Sequence, residues 1–89
     1  MKLNGIVHFV GQEMQVSATY TKRELVIKTI EQFSQTIMIE FSQGMWNNEL
    51  DALQIGQEIN VSISIAGREW VNPQGETKYF NSIKGWKIE

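Results

Sequence analysis

The stretch GMWNNELDALQIG, residues 44–56, interrupts a chain whose other apolar residues mostly alternate with polar ones. Its apolar residues Trp46, Leu50 and Leu53 are spaced i, i+4 and i+7, which places them on one face of an α-helix. Gly56 follows the last of them and supplies a helix end. We therefore predict one short helix here, with Trp46 anchoring it to the core.

On both sides of this helix, apolar residues recur at every second position, which is typical of half-buried β-strands. Ile37, Ile39 and Phe41 share one side of such a segment, and Leu25 and Ile27 are expected to face the core from the preceding one. Predicted strands cover residues 2–10, 20–30, 35–41, 57–65 and 78–88, and residues 11–17 are expected to form a polar connection.

The element order is three strands, a helix and two strands, and the tetrapeptide Asn72-Pro73-Gln74-Gly75 supplies the turn between the last two. A sheet this small leaves exposed edges unless it closes on itself. Five strands with a helix between the third and fourth is the order of an OB-fold barrel. We predict an all-β fold with one short helix, a five-stranded OB-fold barrel that forms a single domain over residues 1–89.

Two details of side-chain direction bear on the core. In the first strand, Leu3, Gly5, Val7 and Phe9 alternate with Lys2, Asn4 and His8. In the last strand, a β-bulge near Gly85 is an alternative to regular alternation, because glycine in a strand often marks one. Such a bulge would bring Ile83, Trp86 and Ile88 to one side, where Trp86 would cap the barrel or fill a subunit contact.

The composition is that of an ordinary globular domain and excludes several classes of site. The 89 residues include no cysteine, so disulfides, thiolate metal sites and cysteine nucleophiles are excluded. The net charge is −2, so any binding of nucleic acid must depend on where the cations lie. The start of the chain does not read as a signal peptide, and no run of residues is apolar enough for a membrane span. We expect a cytoplasmic protein without a cofactor or metal.

Catalysis has little support in the residue types present. The single histidine, His8, lies in the first strand, where a surface position is expected. Glu49 and Asp51 are near neighbours on the helix and point in different directions, which makes a poor acid and base pair. No phosphate-binding glycine loop or metal-ligand spacing occurs. The protein is predicted not to be an enzyme.

Four segments are distinctive: KRELVIKT (22–29), LQIGQEINV (53–61), GREW (67–70) and KYFNSIKGWKIE (78–89). They resemble a family of short bacterial and phage proteins, classed as a domain of unknown function related to bacterial single-stranded DNA-binding proteins. The resemblance runs from Lys22 onward and so covers about three quarters of the chain, which is treated as one domain. It implies an OB-fold barrel and binding of single-stranded DNA.

Binding of a single strand requires aromatic rings for base stacking and cations for phosphates. In an OB-fold barrel the groove lies on strands two and three and on the loops that join strands one to two and four to five. Glu24 and Glu40 share the outer face of these strands and would repel phosphate. Lys84 and Lys87 are expected to be solvated flank charges. The candidate nucleic-acid-binding residues are Tyr20, Lys22, Arg23 (toward the barrel end), Lys28 and Met38, and, on the hairpin, Arg68, Trp70, Lys78, Tyr79 and Phe80.

The sequence thus predicts a protein that binds single-stranded DNA without sequence specificity and acts as a homo-oligomer, dimer or tetramer, because several grooves add avidity. One alternative for the hairpin is structural, with Trp70 packed across it on one of the two neighbouring aromatics. A second is a protein-interaction module in which Trp70, Tyr79 and Phe80 form one apolar hot spot. RNA binding is a third possibility, because bases of both nucleic acids stack in the same way.

Overall fold

The computed structural model describes residues 1–42, 44 and 48–89. It contains strands β1 (Lys2–Val10), β2 (Met14–Ser17), β3 (Tyr20–Thr29) and β4 (Thr36–Ser42), helix α1 (Asn48–Ala52), and strands β5 (Glu58–Val71) and β6 (Thr77–Ile88). The predicted helix between the third and fourth long strands is confirmed, with Leu50 buried and Leu53 packed against the core. Trp46 lies outside the described residues.

The strands form one sheet in the order β1-β5-β6-β4-β3-β2, and an additional pairing of β1 with β3 closes five of them into a ring. All pairings are antiparallel except the short parallel contact of β4 with β6 at Glu40 and Lys84. The all-β architecture is confirmed. The expectation that residues 11–17 form only a polar connection is wrong for its second half, because β2 pairs there with the start of β3.

The interior of the ring is filled from every long strand and from the helix. Leu25 and Ile27 are fully buried, as predicted. Gly85 of β6 lies directly over the ring of Phe41, where a larger residue would not fit. The buried apolar residues are Val7, Leu25, Ile27, Ile39, Phe41, Leu50, Ile59, Val61 and Ile63.

A β-bulge in β1 interrupts the alternation expected of the first strand. Val7 pairs with Ile27 and Phe9 with Val26, so His8 is an extra residue without a partner on β3. The insertion reverses the alternation beyond it: Val10 packs against the core, whereas Phe9 is 55% exposed.

A second bulge lies in β6, where the sequence indicated one. Ser62 pairs with Lys87 and Ile63 with Gly85, which leaves Trp86 as the extra residue. The bulge returns Ile88 to the core side, as expected. Trp86 is not brought to the core side and is 51% exposed. Its assignment as a barrel cap is therefore wrong, because the bulged residue itself points away from the core.

The hairpin of β5 and β6 extends well beyond the barrel, and its pairing continues as far as Val71 and Thr77. The predicted fourth strand, residues 57–65, was therefore too short. The predicted turn is confirmed: the Asn72 side-chain oxygen accepts hydrogen bonds from the backbone N–H groups of Gln74 (3.0 Å) and Glu76 (2.8 Å). Gly75 has a φ of +82°, a conformation that glycine adopts without strain.

Candidate nucleic-acid interface

Strands β3 and β4 present one continuous outer face. Residues directly opposite each other on paired strands point to the same side. The register pairs Lys22 with Ser42, Glu24 with Glu40, Val26 with Met38, and Lys28 with Thr36. Tyr20 continues the face at one end, and its hydroxyl shares a hydrogen bond of 3.0 Å with the Ser42 hydroxyl. Tyr20, Lys22, Lys28 and Met38 therefore share the outer face, in agreement with the parity of the sequence.

The centre of this face is a cluster of charges around Glu40. Lys22 Nζ lies 2.8 Å from Glu40 Oε1 and 3.4 Å from Glu24 Oε2. Lys84 Nζ of β6 donates to the other oxygen of Glu40, across the short parallel contact that closes the ring. Hydrogen bonds from Lys22 and Lys84 hold the pKa of Glu40 below its usual range, and the bond to Glu40 raises the pKa of Lys22. Both lysines therefore have the Glu40 carboxylate as a counter-charge. Lys84 is thus not the solvated flank charge that was expected.

The cluster predicts a specific dependence of stability on pH. A carboxyl whose pKa is lowered by folding stabilises the protein above its unfolded pKa, and that stabilisation is lost as pH falls through the folded pKa. The ordinary pKa of a glutamate carboxyl is 4.5 and that of Glu40 is lower, so the stabilisation is lost as the pH falls below this range. We expect the difference in unfolding free energy between wild type and Glu40→Gln to be constant near neutral pH and to shrink from roughly pH 5 downward. Urea unfolding as a function of pH measures it, and a difference that stays constant down to pH 3, about the lower end of the carboxyl range, would contradict the assignment.

Arg23 does not lie on the outer face. Its parity on β3 turns it inward, and its side chain is only 7% exposed. Arg23 Nε donates to the Gly11 carbonyl at 3.0 Å, and Nη1 donates to Asp51 Oδ1 at 2.8 Å. The guanidinium therefore ties β3 to α1 and to the first connection, a structural role that keeps it away from a ligand on the outer face.

The hairpin separates its five candidate residues onto two faces. Arg68 lies opposite Phe80, and Trp70 lies opposite Lys78, so these four share one face. The Arg68 guanidinium carbon lies 5.4 Å from the centroid of the Phe80 ring, within the range of a cation–π contact. Tyr79 lies on the other face, where its hydroxyl donates to Glu69 Oε1 at 3.0 Å.

The register also shows that Trp70 is not directly opposite either of the other hairpin aromatics. The residue opposite Trp70 is a lysine, and the residue opposite Phe80 is an arginine. Phe80 is only a diagonal neighbour of Trp70, at a typical separation of about 7–8 Å between backbones. Both rings keep exposed surface: Trp70 is 45% exposed and Phe80 46% exposed.

The outer face and the hairpin face meet in a groove with a volume of about 500 Å³. Tyr20 and Lys22 line it from β3, Arg68 and Phe80 from the hairpin, and Glu40 and Lys84 from the contact of β4 with β6. Val16 of β2 adds an apolar wall. Sequence reasoning missed Val16, because β2 was not predicted, and missed Lys84, because a single parallel pairing leaves no pattern in the sequence.

Two other features are absent from the part of the chain that the structure describes. It contains no group of three or more histidine, aspartate or glutamate side chains placed to hold a metal ion. No helix within residues 1–42, 44 and 48–89 is long and apolar enough to cross a membrane.

Comparison with known proteins places the chain in a family. The family described as a domain of unknown function (DUF3127) matches residues 2–89. The chain belongs to this family. No match was found among curated protein sequences.

Comparison with solved structures identifies the fold. A crystal structure of the mitochondrial single-stranded DNA-binding protein Rim1 from S. cerevisiae aligns with a TM-score of 0.71 at 15% sequence identity. The alignment covers 100% of this chain and 90% of that chain. The predicted OB fold is therefore confirmed for this member of the family.

Proposed function

We propose that the protein binds single-stranded DNA, without strong sequence preference, in the groove between the outer face of β3 and β4 and the hairpin. The observation that carries the proposal is the placement of Arg68 and Phe80. Their cation–π pair lines the same open groove as Tyr20. A groove flanked by aromatic rings and lined with cations is the arrangement that single strands require.

Stacking explains both the affinity and the lack of sequence preference. Every base has a π-face, and each base stacked on a ring contributes about 1–3 kcal/mol. The contact with Arg68 holds the Phe80 ring on the groove side, so less side-chain freedom is lost when a base stacks on it. Trp70 continues the aromatic surface one row further along the hairpin.

The cations of this surface fall into two groups. Lys22 and Lys84 are held by Glu40, so a phosphate must compete with a carboxylate for them. Arg68, Lys78 and Lys28 have no carboxylate within ion-pair distance among the residues that the structure describes. These three are the proposed phosphate contacts. Local placement of this kind reconciles DNA binding with the net charge of −2.

Two further considerations support the proposal. The fold is similar to that of a mitochondrial single-stranded DNA-binding protein. The register of the hairpin also counts against an apolar hot spot made of Trp70, Tyr79 and Phe80, because Tyr79 lies on the opposite face from the other two. We further propose that the protein acts as a homo-oligomer, since several grooves on one assembly raise the affinity for a long strand.

The test is a titration of a fluorescent oligothymidylate with wild type, Trp70→Ala and the matched control Trp86→Ala. The two tryptophans are similarly exposed, at 45% and 51%, but Trp70 lies one row from Arg68 and Phe80 on the hairpin, whereas Trp86 lies in the bulge beyond Gly85, at the other end of β6. We expect Trp70→Ala to weaken binding by about 1–3 kcal/mol and Trp86→Ala to leave it unchanged. Thermal unfolding confirms that both variants are folded, and size-exclusion chromatography checks their oligomeric state.

The dependence of binding on salt and competition between DNA and RNA oligomers test the proposal further. DNA binding should weaken steeply as salt increases, because phosphate contacts release counterions. Absence of binding by wild type at low salt would exclude the proposal, and equal losses in both tryptophan variants would exclude this groove. An oligouridylate that competes better than the matched oligodeoxyuridylate would redirect the proposal to RNA.

A further inference from the structure

Phe9 is an exposed aromatic ring that regular strand alternation would have buried. The bulge at His8 turns it onto the outer face, directly opposite Val26. Bulges often re-aim a side chain next to a functional site. An isolated exposed ring carries no meaning by itself, so the neighbours of Phe9 decide what it can do.

Those neighbours form an apolar row across three strands. Phe9 of β1 lies opposite Val26 of β3, and Val26 lies opposite Met38 of β4. Met38 is 49% exposed, so the row is open to solvent at both ends. Its thioether is a polarizable surface that makes favourable contacts with aromatic rings. The row is thus a small flat platform with one ring.

The next row along the same face supplies a cation. It consists of Ile6, Lys28 and Thr36, which lie opposite one another, two residues from the first row on β3 and β4 and three on β1, where the bulge adds one. Lys28 is exposed and has no carboxylate within ion-pair distance in the described part of the chain. A ring with an available cation one row away is the combination that holds one nucleotide, the base on the ring and the phosphate on the amine.

We infer that Phe9, with Val26 and Met38, is a second base-stacking site for the strand bound in the groove, and that Lys28 contacts the adjacent phosphate. The inference rests on the proposed function and extends the bound path beyond the groove, along the same face of β3. The row of Glu24 and Glu40 lies between the two stacking sites. The strand therefore crosses the acidic row and is held by stacking on either side of it.

Because the two sites are separated, the contribution of Phe9 to binding should depend on the length of the oligomer. Tyr20 and Val26 are six positions apart on β3, so at a strand rise of about 3.3 Å per residue the sites lie about 20 Å apart. A stacked strand advances about 3.4 Å per nucleotide, so about six nucleotides span that distance. A shorter oligomer occupies one site only.

The experiment compares Phe9→Leu with wild type on oligothymidylates of about four and about sixteen nucleotides, the range that one OB fold covers. Leucine keeps the apolar bulk and removes the ring. Phe80→Leu, the same change in the groove, tests the proposed function independently. We expect Phe9→Leu to lose about tenfold in affinity on the long oligomer and less than twofold on the short one, whereas Phe80→Leu weakens both.

Each remaining outcome decides against the inference. Wild-type affinity of Phe9→Leu on the long oligomer, with Phe80→Leu still defective, overturns the second site and leaves the proposed function standing. An equal loss on both lengths shows a general defect of the fold and also overturns it. Phe9→Trp retains an aromatic ring and makes it larger. Weakened binding by a folded Phe9→Trp protein would therefore count against stacking. Absence of binding by wild type overturns both proposals.

Discussion

Replacing Gly85 with alanine is expected to destabilise the protein by about 3 kcal/mol, the upper end of the usual cost of overpacking a core. A Cβ atom on Gly85 would lie 2.7 Å and 2.8 Å from Cε1 and Cε2 of Phe41 and closer still to Cζ. Phe41 is fully buried and surrounded by core residues, so its ring has no free volume to enter. Gly85 is itself held by its pairing with Ile63 next to the bulge. Urea unfolding measures the loss as a lower midpoint.

Gly67→Ala is the matched control for this prediction. It introduces the same methyl group into the same pair of strands, but the nearest atom is the Asn81 side-chain oxygen at 3.2 Å on the exposed hairpin. We expect a change of about 0.5 kcal/mol or less, as for most surface substitutions. In the Gly85→Ala background, Phe41→Leu should recover part of the loss, because a smaller side chain makes room for the methyl group. Equal urea midpoints for Gly85→Ala and wild type would contradict the prediction and show that the Phe41 ring can move to accept the methyl group.

Local patterns were sufficient to predict the fold. The change from a period of two to a helical spacing placed α1 between the third and fourth long strands, and glycine near the end of β6 indicated the bulge there. The bulge at His8 was not predicted, because no glycine marks it and the apolar neighbours Val7 and Phe9 are also what regular alternation would place there. A single inserted residue reverses all later side chains of a strand. It therefore places Phe9 on the exposed face although its parity is that of the buried Val7.

The candidate site was predictable only where side-chain direction follows from one strand alone. Tyr20, Lys22, Lys28 and Met38 share a face because their parity requires it. Tyr79 and Phe80 are consecutive in an extended strand, so their separation onto two faces also follows from alternation. The ion pairs of Arg23 with Asp51 and of Glu40 with Lys84 join residues distant in sequence. Such partners are set by closure of the ring, which no local pattern records.

Removal of two hairpin cations is expected to produce the largest loss of DNA affinity. Arg68→Gln with Lys78→Gln removes two charges that face the groove side of the hairpin and have no ion-pair partner among the described residues. If each cation contributes one charge-assisted phosphate contact of about 1.5 kcal/mol, the double variant should bind oligothymidylate about a hundredfold more weakly at low salt.

The dependence of affinity on salt distinguishes phosphate contacts from a general effect of charge. The slope of log affinity against log salt concentration is about −0.7 per phosphate neutralised on a single strand, so losing two contacts should make it shallower by about 1.4. Lys2→Gln with Lys87→Gln is the matched control, since it removes the same charge from two lysines that pair with Glu89. It should leave both affinity and slope close to wild type. Equal losses in the two double variants would mean that DNA responds to the net charge of the protein, whereas a loss confined to Arg68 and Lys78 would mean that the hairpin contacts the phosphates directly.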